Sequence, residues 1–282
     1  MSMSEATLTP ELAEKYEHLK TIITAHERVI VAFSGGVDSS LVAYVAAETL
    51  GNQSLAVTSG SKSLKRSDLK LTLELASKWG MEHEVIVTDE LSKPDYRANP
   101  VNRCFHCKTS LYDALDEMAR ERGYRTVMNG TNTDDLGDHR PGLIAADEHN
   151  VASPLVEAGF AKADIRALAD HLGLDNAAKP QAACLSSRFP YGSHITEERL
   201  EQVERAENVL AELGFSQYRV RHHEDVARLE LLGSEMAKAL ELAGTIESRI
   251  KACGYRFVAM DLKGFESGSL NQGVIKLKRV GN

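Results

Sequence analysis

Short apolar runs and longer amphipathic stretches alternate along the first part of the chain. The short runs predict buried strands at residues 29–32, 54–58, 84–87 and 125–128. The amphipathic stretches predict a helix that starts at Thr9-Pro10 and further helices over residues 41–47, 64–79, 104–122 and 162–172. Strands that alternate with helices predict an α/β fold with a doubly wound, mostly parallel sheet. Ligands of such sheets bind beyond the carboxyl ends of the strands.

The pattern changes after Lys179-Pro180, which we interpret as a domain junction. Beyond it, two amphipathic helices and three short strands are predicted, at residues 196–213, 234–253, 217–220, 226–231 and 256–261. The sequence therefore predicts a first domain over residues 1–180 and a smaller α/β domain over residues 181–282.

The first predicted strand leads into residues 34–39, which read Ser-Gly-Gly-Val-Asp-Ser and open a predicted helix. Glycines let backbone N–H groups close on phosphate oxygens, and a helix N-terminus attracts anions. The segment lacks the Gly-Lys-[Ser/Thr] signature of a Walker loop and the third glycine of a dinucleotide-binding loop. An ordinary turn of small residues is the simpler interpretation, but the specified positions between strand and helix favour a phosphate-binding loop.

Composition and charge exclude several classes of protein. The 282 residues carry a net charge of −8, which argues against a broad nucleic-acid-binding surface. The N-terminal residues lack a basic segment followed by an apolar one, and no apolar run reaches the roughly eighteen residues of a membrane span. We therefore expect a cytoplasmic protein without a membrane or nucleic-acid partner.

Residues 132–142 are polar, rich in glycine and dense in acidic residues, so we expect a loop. Asp134 or Asp135 in this loop either helps to place Mg²⁺ on phosphate groups or caps the turns of a solvated segment. The position beyond a predicted strand favours the first interpretation.

The chain has four cysteines, which in a cytosolic protein of this size favours metal binding or catalysis over disulfides. Cys104 and Cys107 are spaced to hold one metal ion or cluster, and Cys184 is remote in sequence. The first interpretation is a structural zinc site with His106 or Cys253 as a further ligand. The others are a Cys104–Cys107 disulfide and an iron–sulfur cluster held by Cys104, Cys107 and Cys184, with one iron left open. We interpret Cys253 as a small core residue.

Arg219 and Arg221 are predicted to point to one face of a strand, because side chains alternate along it. Two guanidinium groups suit a phosphate, such as that of a mononucleotide. The simpler interpretation is an exposed basic face on an edge strand. Glu207 or Glu230 is a candidate metal ligand, and the pattern does not choose between them.

Four segments together resemble the LarE family of the PP-loop ATP pyrophosphatase superfamily. They are residues 34–39, Arg103-Cys104-x-x-Cys107-Lys108, Gly130-Thr131-Asn132-x-x-Asp135, and the run from Lys179-Pro180 to Gly192 that contains Cys184 and Arg188. The resemblance covers nearly the whole chain. It implies an ATP-dependent sulfurtransferase that adenylates the carboxylates of pyridinium-3,5-biscarboxylic acid mononucleotide and converts them to thiocarboxylates. This reaction belongs to the biosynthesis of the nickel-pincer nucleotide cofactor.

The resemblance also implies the cofactors ATP, Mg²⁺ and a [4Fe-4S] cluster, and a homo-oligomer, namely a hexamer. The residues implied to bind ATP and pyrophosphate are Ala32, Ser34, Gly35, Gly36, Asp38, Ser39, Ser59, Gly130, Thr131 and Asp135. Those implied to bind the substrate phosphate are Arg188, Arg219 and Arg221. Cys104, Cys107 and Cys184 are implied to be catalytic and to hold the cluster, with sulfide or another sulfur donor as the partner.

Three further enzymatic functions compete with this one, and a non-enzymatic ATP-binding or metal-storage protein, which the intact loop disfavours, is a fourth alternative. The first is sacrificial sulfur transfer from Cys184, which leaves dehydroalanine and belongs to family members with a single cysteine. The second is a tRNA-thiolating PP-loop enzyme, which the acidic charge and the lack of an RNA-binding module disfavour. The third is an amidotransferase-type ligase, which would leave the cysteines unexplained.

Overall fold

The structure is a computed structural model that describes residues 8–137, 141–180 and 183–266. The chain divides into two compact units, Met1–Ala183 and Cys184–Asn282. The division falls a few residues beyond Lys179-Pro180. The resemblance implies ATP binding by the first domain and substrate binding, sulfur transfer and oligomerisation by the second, and these roles stay predictions.

The first unit is built around a parallel sheet. Its strands are β1 (Val29–Ala32), β2 (Ser54–Ser59), β3 (His83–Ile86) and β4 (Thr126–Met128). Its helices are α1 (Pro10–Ala25), α2 (Val37–Leu50), α3 (Arg66–Lys78), α4 (Pro94–Arg97), α5 (Arg103–Arg122), α6 (Pro141–Glu148), α7 (Pro154–Glu157) and α8 (Lys162–His171). The strands pair in the order β3-β2-β1-β4, all parallel. The predicted α/β fold with a parallel sheet is confirmed.

Alternate residues of β1 belong to two different cores. Val29 and Val31 pack with residues of α1, α2 and α8, whereas Ile30 and Ala32 pack with residues of α5 and α6. Because helices cover both faces of the sheet, all four residues of β1 are buried. This burial explains why β1 is an uninterrupted apolar run in the sequence.

The segment after β1 lies at the point where the order in which the chain adds strands to the sheet reverses. From β1 the chain crosses through α2 to β2 on one side, while β4 pairs with the other side of β1. Such a point forms a crevice at the carboxyl ends of the strands, and ligands bind there.

Several local predictions need correction. The third strand spans His83–Ile86 instead of 84–87, so Val87 lies outside the sheet and is 86% exposed. The segment expected to be a loop contains a 3₁₀ helix, Thr133–Gly137, and α6 begins at its end. The short helices α4, α6 and α7 were not predicted, because they are too short to show a periodic apolar pattern. Each begins with a proline, which is the local signal that marks them.

The second unit combines a three-stranded sheet with helices. It contains a 3₁₀ helix (Leu185–Arg188), α9 (Glu197–Glu212), β5 (Tyr218–His223), β6 (Val226–Leu231), α10 (Met236–Glu241), α11 (Ala243–Ala252) and β7 (Phe257–Met260). The central strand β6 is antiparallel to β5 and parallel to β7. The single helix predicted over 234–253 is two helices that meet at Leu242, where Gly244 weakens helix propensity. In the described parts of both units, no helix combines the length and apolar character needed to cross a membrane.

His222 of β5 is a buried titratable group in the core of the second unit. Its side chain is 2% exposed, its ring centroid lies 4.9 Å from that of Phe189, and its Nδ1 lies 3.1 Å from the hydroxyl of Tyr255. Its Nε2 has no hydrogen-bond partner in the part of the chain that the structure describes. Burial, with a smaller contribution from the charge of Arg199, lowers the pKa of His222 to about 4.

We expect acid to destabilise the second unit through His222. Its ordinary pKa is 6.5, so the unfolded chain takes up a proton below that pH while the folded chain resists until about pH 4. The contribution of His222 to the free energy of unfolding is fully present above pH 6.5, and at pH 5 it is lower by about 2 kcal/mol. Urea unfolding at about pH 7 and pH 5 measures this loss, and a His222→Phe variant should lack it. Equal losses in the two proteins would contradict the expectation.

Candidate active site

The predicted phosphate-binding loop connects β1 to α2. Gly35 has a φ of 70°, and a Cβ there would lie 3.0 Å from the Cγ2 of Thr72. Both facts require glycine at this position. Gly36 caps α2 without a side-chain hydrogen bond. The first N–H groups of α2 are therefore available to an anion.

Two serine side chains close the loop on itself. The Ser39 hydroxyl donates to the carbonyl of Gly36 at 3.1 Å, and the backbone N–H of Ser34 donates to Ser39 Oγ at 3.1 Å. The two hydroxyl oxygens lie 3.0 Å apart. The loop thus has a defined shape in the protein alone, which lowers the cost of ordering it around a ligand.

Asn176 and Lys179 hold the opposite side of the loop. The Asn176 side-chain amide donates to the carbonyl of Gly35 at 3.0 Å, and Lys179 Nζ lies 3.4 Å from the same oxygen. Lys179 also pairs with Asp68 at 2.9 Å. In a trans peptide the C=O and the next N–H point in opposite directions. Asn176 and Lys179 therefore turn the N–H of Gly36 away from themselves.

Asp38 in the first turn of α2 is paired with a lysine from a distant helix. Lys162 Nζ lies 2.6 Å and 2.5 Å from its two carboxylate oxygens, and Asn132 Nδ2 lies 3.4 Å from one of them. Lys162 is the first residue of α8, where the helix dipole disfavours a cation. This unfavourable position is the sequence signal that could have identified Lys162 as a site residue, which our sequence analysis missed.

The segment after β4 packs directly on the first turn of α2. A Cβ at Gly130 would lie 2.5 Å from Ser39 N and 2.8 Å from the carbonyl carbon of Asp38, so only glycine fits. The N–H of Thr131 donates to Asn129 Oδ1 at 2.9 Å. Gly130 and Thr131 thus lie beside the loop, as the order of the strands requires.

Both acidic residues after β4 accept hydrogen bonds from backbone N–H groups. Asp135 Oδ2 accepts the N–H of Asn132 at 3.1 Å, a contact within its own turn, as the simpler interpretation anticipated. Asp134 Oδ2 accepts the N–H of Lys162 at 2.9 Å, at the start of α8. The role of either residue in placing Mg²⁺ stays a prediction.

Ala32 and Ser59 complete the predicted nucleotide-binding residues. Ala32 ends β1, and Ser59 ends the neighbouring strand β2. Ser59 Oγ lies 2.7 Å from the hydroxyl of Thr88, which follows β3. The structure therefore brings the predicted nucleotide-binding residues to the same edge of the sheet.

Cys104 and Cys107 lie in the first turn of α5. Neither forms a disulfide, Cys104 is exposed and Cys107 is half-buried, and residues three apart lie on the same face of a helix. The described residues contain no group of three or more His, Cys, Asp or Glu side chains arranged to hold a metal ion. Cys253 is buried in the core of the second unit, and burial raises the pKa of its thiol, as suits a core residue.

Cys184 opens the second unit beside a buried ion pair. Arg188 forms two bonds with the Glu207 carboxylate, at 2.8 Å and 3.1 Å, and both side chains are buried. The same guanidinium donates to the carbonyl of Cys184 at 3.1 Å and to the hydroxyl of Ser187 at 2.9 Å. The backbone of Cys184 is thus anchored, while Cys184 itself is exposed.

Arg221 forms a second buried ion pair in the same unit. It lies 2.8 Å from Glu230 and donates to the carbonyl of Ser187 at 2.6 Å. The interpretation of Arg221 as part of an exposed basic face is wrong, because its side chain is buried. Glu207 and Glu230, the candidate metal ligands, are each paired with an arginine in this structure.

Arg219 completes a cluster of three guanidinium groups. It donates to the carbonyl of Glu266 at 3.0 Å and lies over the ring of Phe265, 4.5 Å from its centroid. Burial lowers the pKa of Arg219, and the positive charges of Arg221 and Arg188 lower it further. The three arginines predicted to bind phosphate are therefore close enough to influence one another.

Several known proteins are similar to this chain over most of its length. The profile of the NAD synthase family matches residues 13–123. An uncharacterised protein of Synechocystis sp. is 41% identical over 94% of this chain and 100% of its own length. The pyridinium-3,5-bisthiocarboxylic acid mononucleotide synthase of Lactiplantibacillus plantarum is 36% identical over 94% of this chain and 96% of its own length. An uncharacterised protein of Methanocaldococcus jannaschii is 28% identical over 86% and 92%, respectively.

The parallel sheet, the Ser-Gly-Gly-Val-Asp-Ser loop before α2 and the NAD synthase match define an enzyme of the PP-loop ATP pyrophosphatase class. Enzymes of this class use ATP with Mg²⁺. Within the class, the 36% identity to the Lactiplantibacillus synthase over nearly the full length of both proteins shows that this chain belongs to the LarE family.

Proposed function

We propose that this chain is an ATP-dependent sulfurtransferase that converts the carboxylates of pyridinium-3,5-biscarboxylic acid mononucleotide into thiocarboxylates. The observation that carries the proposal is the placement of an exposed Cys184 on a cluster of three arginines. This arrangement would combine a sulfur atom with guanidinium groups that suit a mononucleotide phosphate. The near full-length similarity to a bisthiocarboxylic acid mononucleotide synthase supports the same substrate.

The first step activates the substrate, because a carboxylate is a poor electrophile. A carboxylate oxygen attacks the α-phosphorus of ATP, and the bond from that phosphorus to the oxygen that bridges to the β-phosphate breaks. Pyrophosphate departs, and the product is an acyl-adenylate. The hydroxyls of Ser34 and Ser39 and the N–H of Gly36 would hold the pyrophosphate. Mg²⁺, when bound, offsets the charge that develops on the phosphates.

Arg219 is the best candidate for the substrate phosphate. Its described partners are a carbonyl oxygen and an aromatic ring, whereas Arg188 and Arg221 each face a carboxylate. Arg219 thus makes no direct ion pair among the described residues, although the charges of Glu230 and Glu207 act on it from further away. A phosphate monoester would supply a directly bound anion with two acceptor oxygens.

The cysteines suit the iron–sulfur interpretation in their chemistry. Cys104 and Cys107 lie three positions apart at the start of one helix, and Cys184 is an exposed third cysteine. These three residues would hold a [4Fe-4S] cluster, whose fourth iron would carry the sulfide for transfer. Arg188 would keep the backbone of Cys184 fixed during the reaction.

The alternative sulfur source is Cys184 itself. Its thiolate would attack the acyl carbon and AMP would leave. A base would then take the α-proton of Cys184, the Cβ–S bond would break, and the thiocarboxylate would leave dehydroalanine. Each chain would transfer one sulfur atom by this route.

Iron and acid-labile sulfide, measured after purification without oxygen, distinguish the two routes. We expect about four irons per chain, lost in the Cys104→Ala, Cys107→Ala and Cys184→Ala variants. A Cys253→Ala variant is the matched control and should keep its iron, because Cys253 lies in the core. Absence of iron, with a mass loss of about one H₂S at Cys184 after turnover, would favour the sacrificial route. The predicted hexamer is tested by the mass of the purified protein in solution.

A further inference from the structure

A chain of hydroxyl groups connects the carboxyl end of β2 to a buried carboxylate. Ser59 Oγ lies 2.7 Å from Thr88 Oγ1, and Thr88 Oγ1 donates to Glu90 Oε2 at 2.6 Å. The other carboxylate oxygen of Glu90 accepts from Ser61 and, at 3.5 Å, from Ser63. Glu90 is 1% exposed, and its partners among the described residues are all hydroxyl groups. The described contacts of Glu90 leave the carboxylate free of a neutralising cation.

The carboxylate sets the direction of each hydrogen bond in this chain. The carboxyl oxygen of Glu90 accepts from Thr88, and a hydroxyl has one proton to donate. Thr88 gives its proton to Glu90, so it can only accept from Ser59. The proton of Ser59 is then committed to Thr88. Among the described residues, Thr88 is the one hydrogen-bond partner of Ser59 Oγ, so a lone pair of this half-buried oxygen can accept from a ligand.

Ser59 lies next to the phosphate-binding loop. The hydroxyl of Thr58 donates to the carbonyl of Phe33 at 2.7 Å, and the N–H of Phe33 donates to Val57 at 2.8 Å, so the end of β2 adjoins the start of the loop. On the other side, the backbone of Gly130 packs on the first turn of α2. A nucleotide with its phosphates in the loop would therefore place its base on the β2 side.

We propose that Ser59 recognises position 6 of the purine ring, and that Thr88 and Glu90 act as positioning residues that make Ser59 an acceptor. The proposal rests on the use of ATP proposed above. The 6-amino group of adenine donates a hydrogen bond and matches this acceptor. The 6-oxo group of guanine accepts, so it would face Ser59 Oγ without a proton between them. The hydroxyl chain would thus select ATP over GTP.

Two variants should turn Ser59 from an acceptor into a donor toward the base. In Glu90→Gln the amide N–H can donate to Thr88, which then donates to Ser59, which then donates to the base. In Thr88→Val the acceptor is lost and the proton of Ser59 is free. We expect both variants to lower the ratio of kcat/KM for ATP to kcat/KM for GTP, in substrate-dependent pyrophosphate release, by roughly tenfold or more.

A matched control uses the other branch of the same carboxylate. Ser63 contacts Glu90 but not Thr88 or Ser59, so Ser63→Ala should leave the ATP to GTP ratio unchanged. An unchanged ratio in Glu90→Gln and Thr88→Val, with circular dichroism that shows folded proteins, would overturn the proposal.

Binding measurements separate this proposal from the proposed function. Purine riboside triphosphate lacks the 6-amino group, so it should bind the unmodified protein roughly tenfold more weakly than ATP. In Ser59→Ala the two nucleotides should bind equally. If ATP binds with this selectivity but no pyrophosphate is released with the substrate, the proposed function fails and the assignment of Ser59 stands. If the two nucleotides bind the unmodified protein equally, or if neither binds, the assignment of Ser59 fails.

Discussion

Replacing Cys184 with serine is expected to abolish thiocarboxylate formation, by about 1,000-fold or more, while ATP-dependent pyrophosphate release continues. Both sulfur-transfer routes need the thiol of Cys184, either as a cluster ligand or as the sulfur itself. Serine has nearly the same size, and the contact of Arg188 with residue 184 is to the backbone carbonyl, so the local structure should persist. Mass spectrometry of the product and an assay of pyrophosphate measure the two half-reactions separately.

The control for this variant is Cys253→Ala. Cys253 lies in the core of the second unit, so its replacement should cost stability but leave sulfur transfer intact. Thiocarboxylate formation by Cys184→Ser at the unmodified rate would contradict the assignment of Cys184. Loss of both half-reactions would also contradict it, because a residue that acts only in sulfur transfer cannot be needed for adenylation.

Gly130→Ala is expected to give the largest loss in the nucleotide half-reaction. The added Cβ would lie 2.5 Å from the backbone nitrogen of Ser39, and backbone atoms cannot move aside as the end of a side chain can. The first turn of α2, or the segment after β4, must therefore shift. Displacement of a reacting group by about 1 Å costs about 100-fold in rate, so we expect a loss of this size in ATP-dependent pyrophosphate release.

Gly137→Ala is the matched control for this expectation. A Cβ at Gly137 would meet no atom of the described residues within 4 Å, so pyrophosphate release should stay near that of the unmodified protein. Titration of ATP by calorimetry shows whether the loss in Gly130→Ala arises from binding. Unchanged pyrophosphate release in Gly130→Ala would contradict the view that the contact between Gly130 and α2 shapes the site.

The features that the sequence predicted correctly are those with a local cause. β1 is an apolar run because helices cover both faces of the sheet, so each of its residues is buried. The loop at residues 34–39 is recognisable because its glycines and serines bond one another within a few residues. Arg219 and Arg221 lie on the same face of β5 because side chains alternate along a strand.

The features that the sequence did not predict depend on distant partners. Lys162 contacts Asp38 across 124 positions, and Asn176 contacts Gly35 across 141. Neither pair has a periodic pattern, because the packing of α8 and the following segment against the loop decides both. In the sequence, Lys162 marks only the start of a predicted helix, and Asn176 lies outside every predicted helix and strand.

The sequence by itself determined the class of sheet, the position of the phosphate-binding loop and the residues able to supply sulfur, since each depends on short-range pattern or on chemical identity. Only the tertiary structure decided which charges are neutralised. In the folded chain, Arg188 and Arg221 each pair with a carboxylate, whereas the direct partners of Arg219 are neutral. The contact between Ser59 and Thr88 also forms only in the folded chain. Hydrogen bonds and ion pairs depend on distances of a few ångströms, which the folding of the whole chain sets.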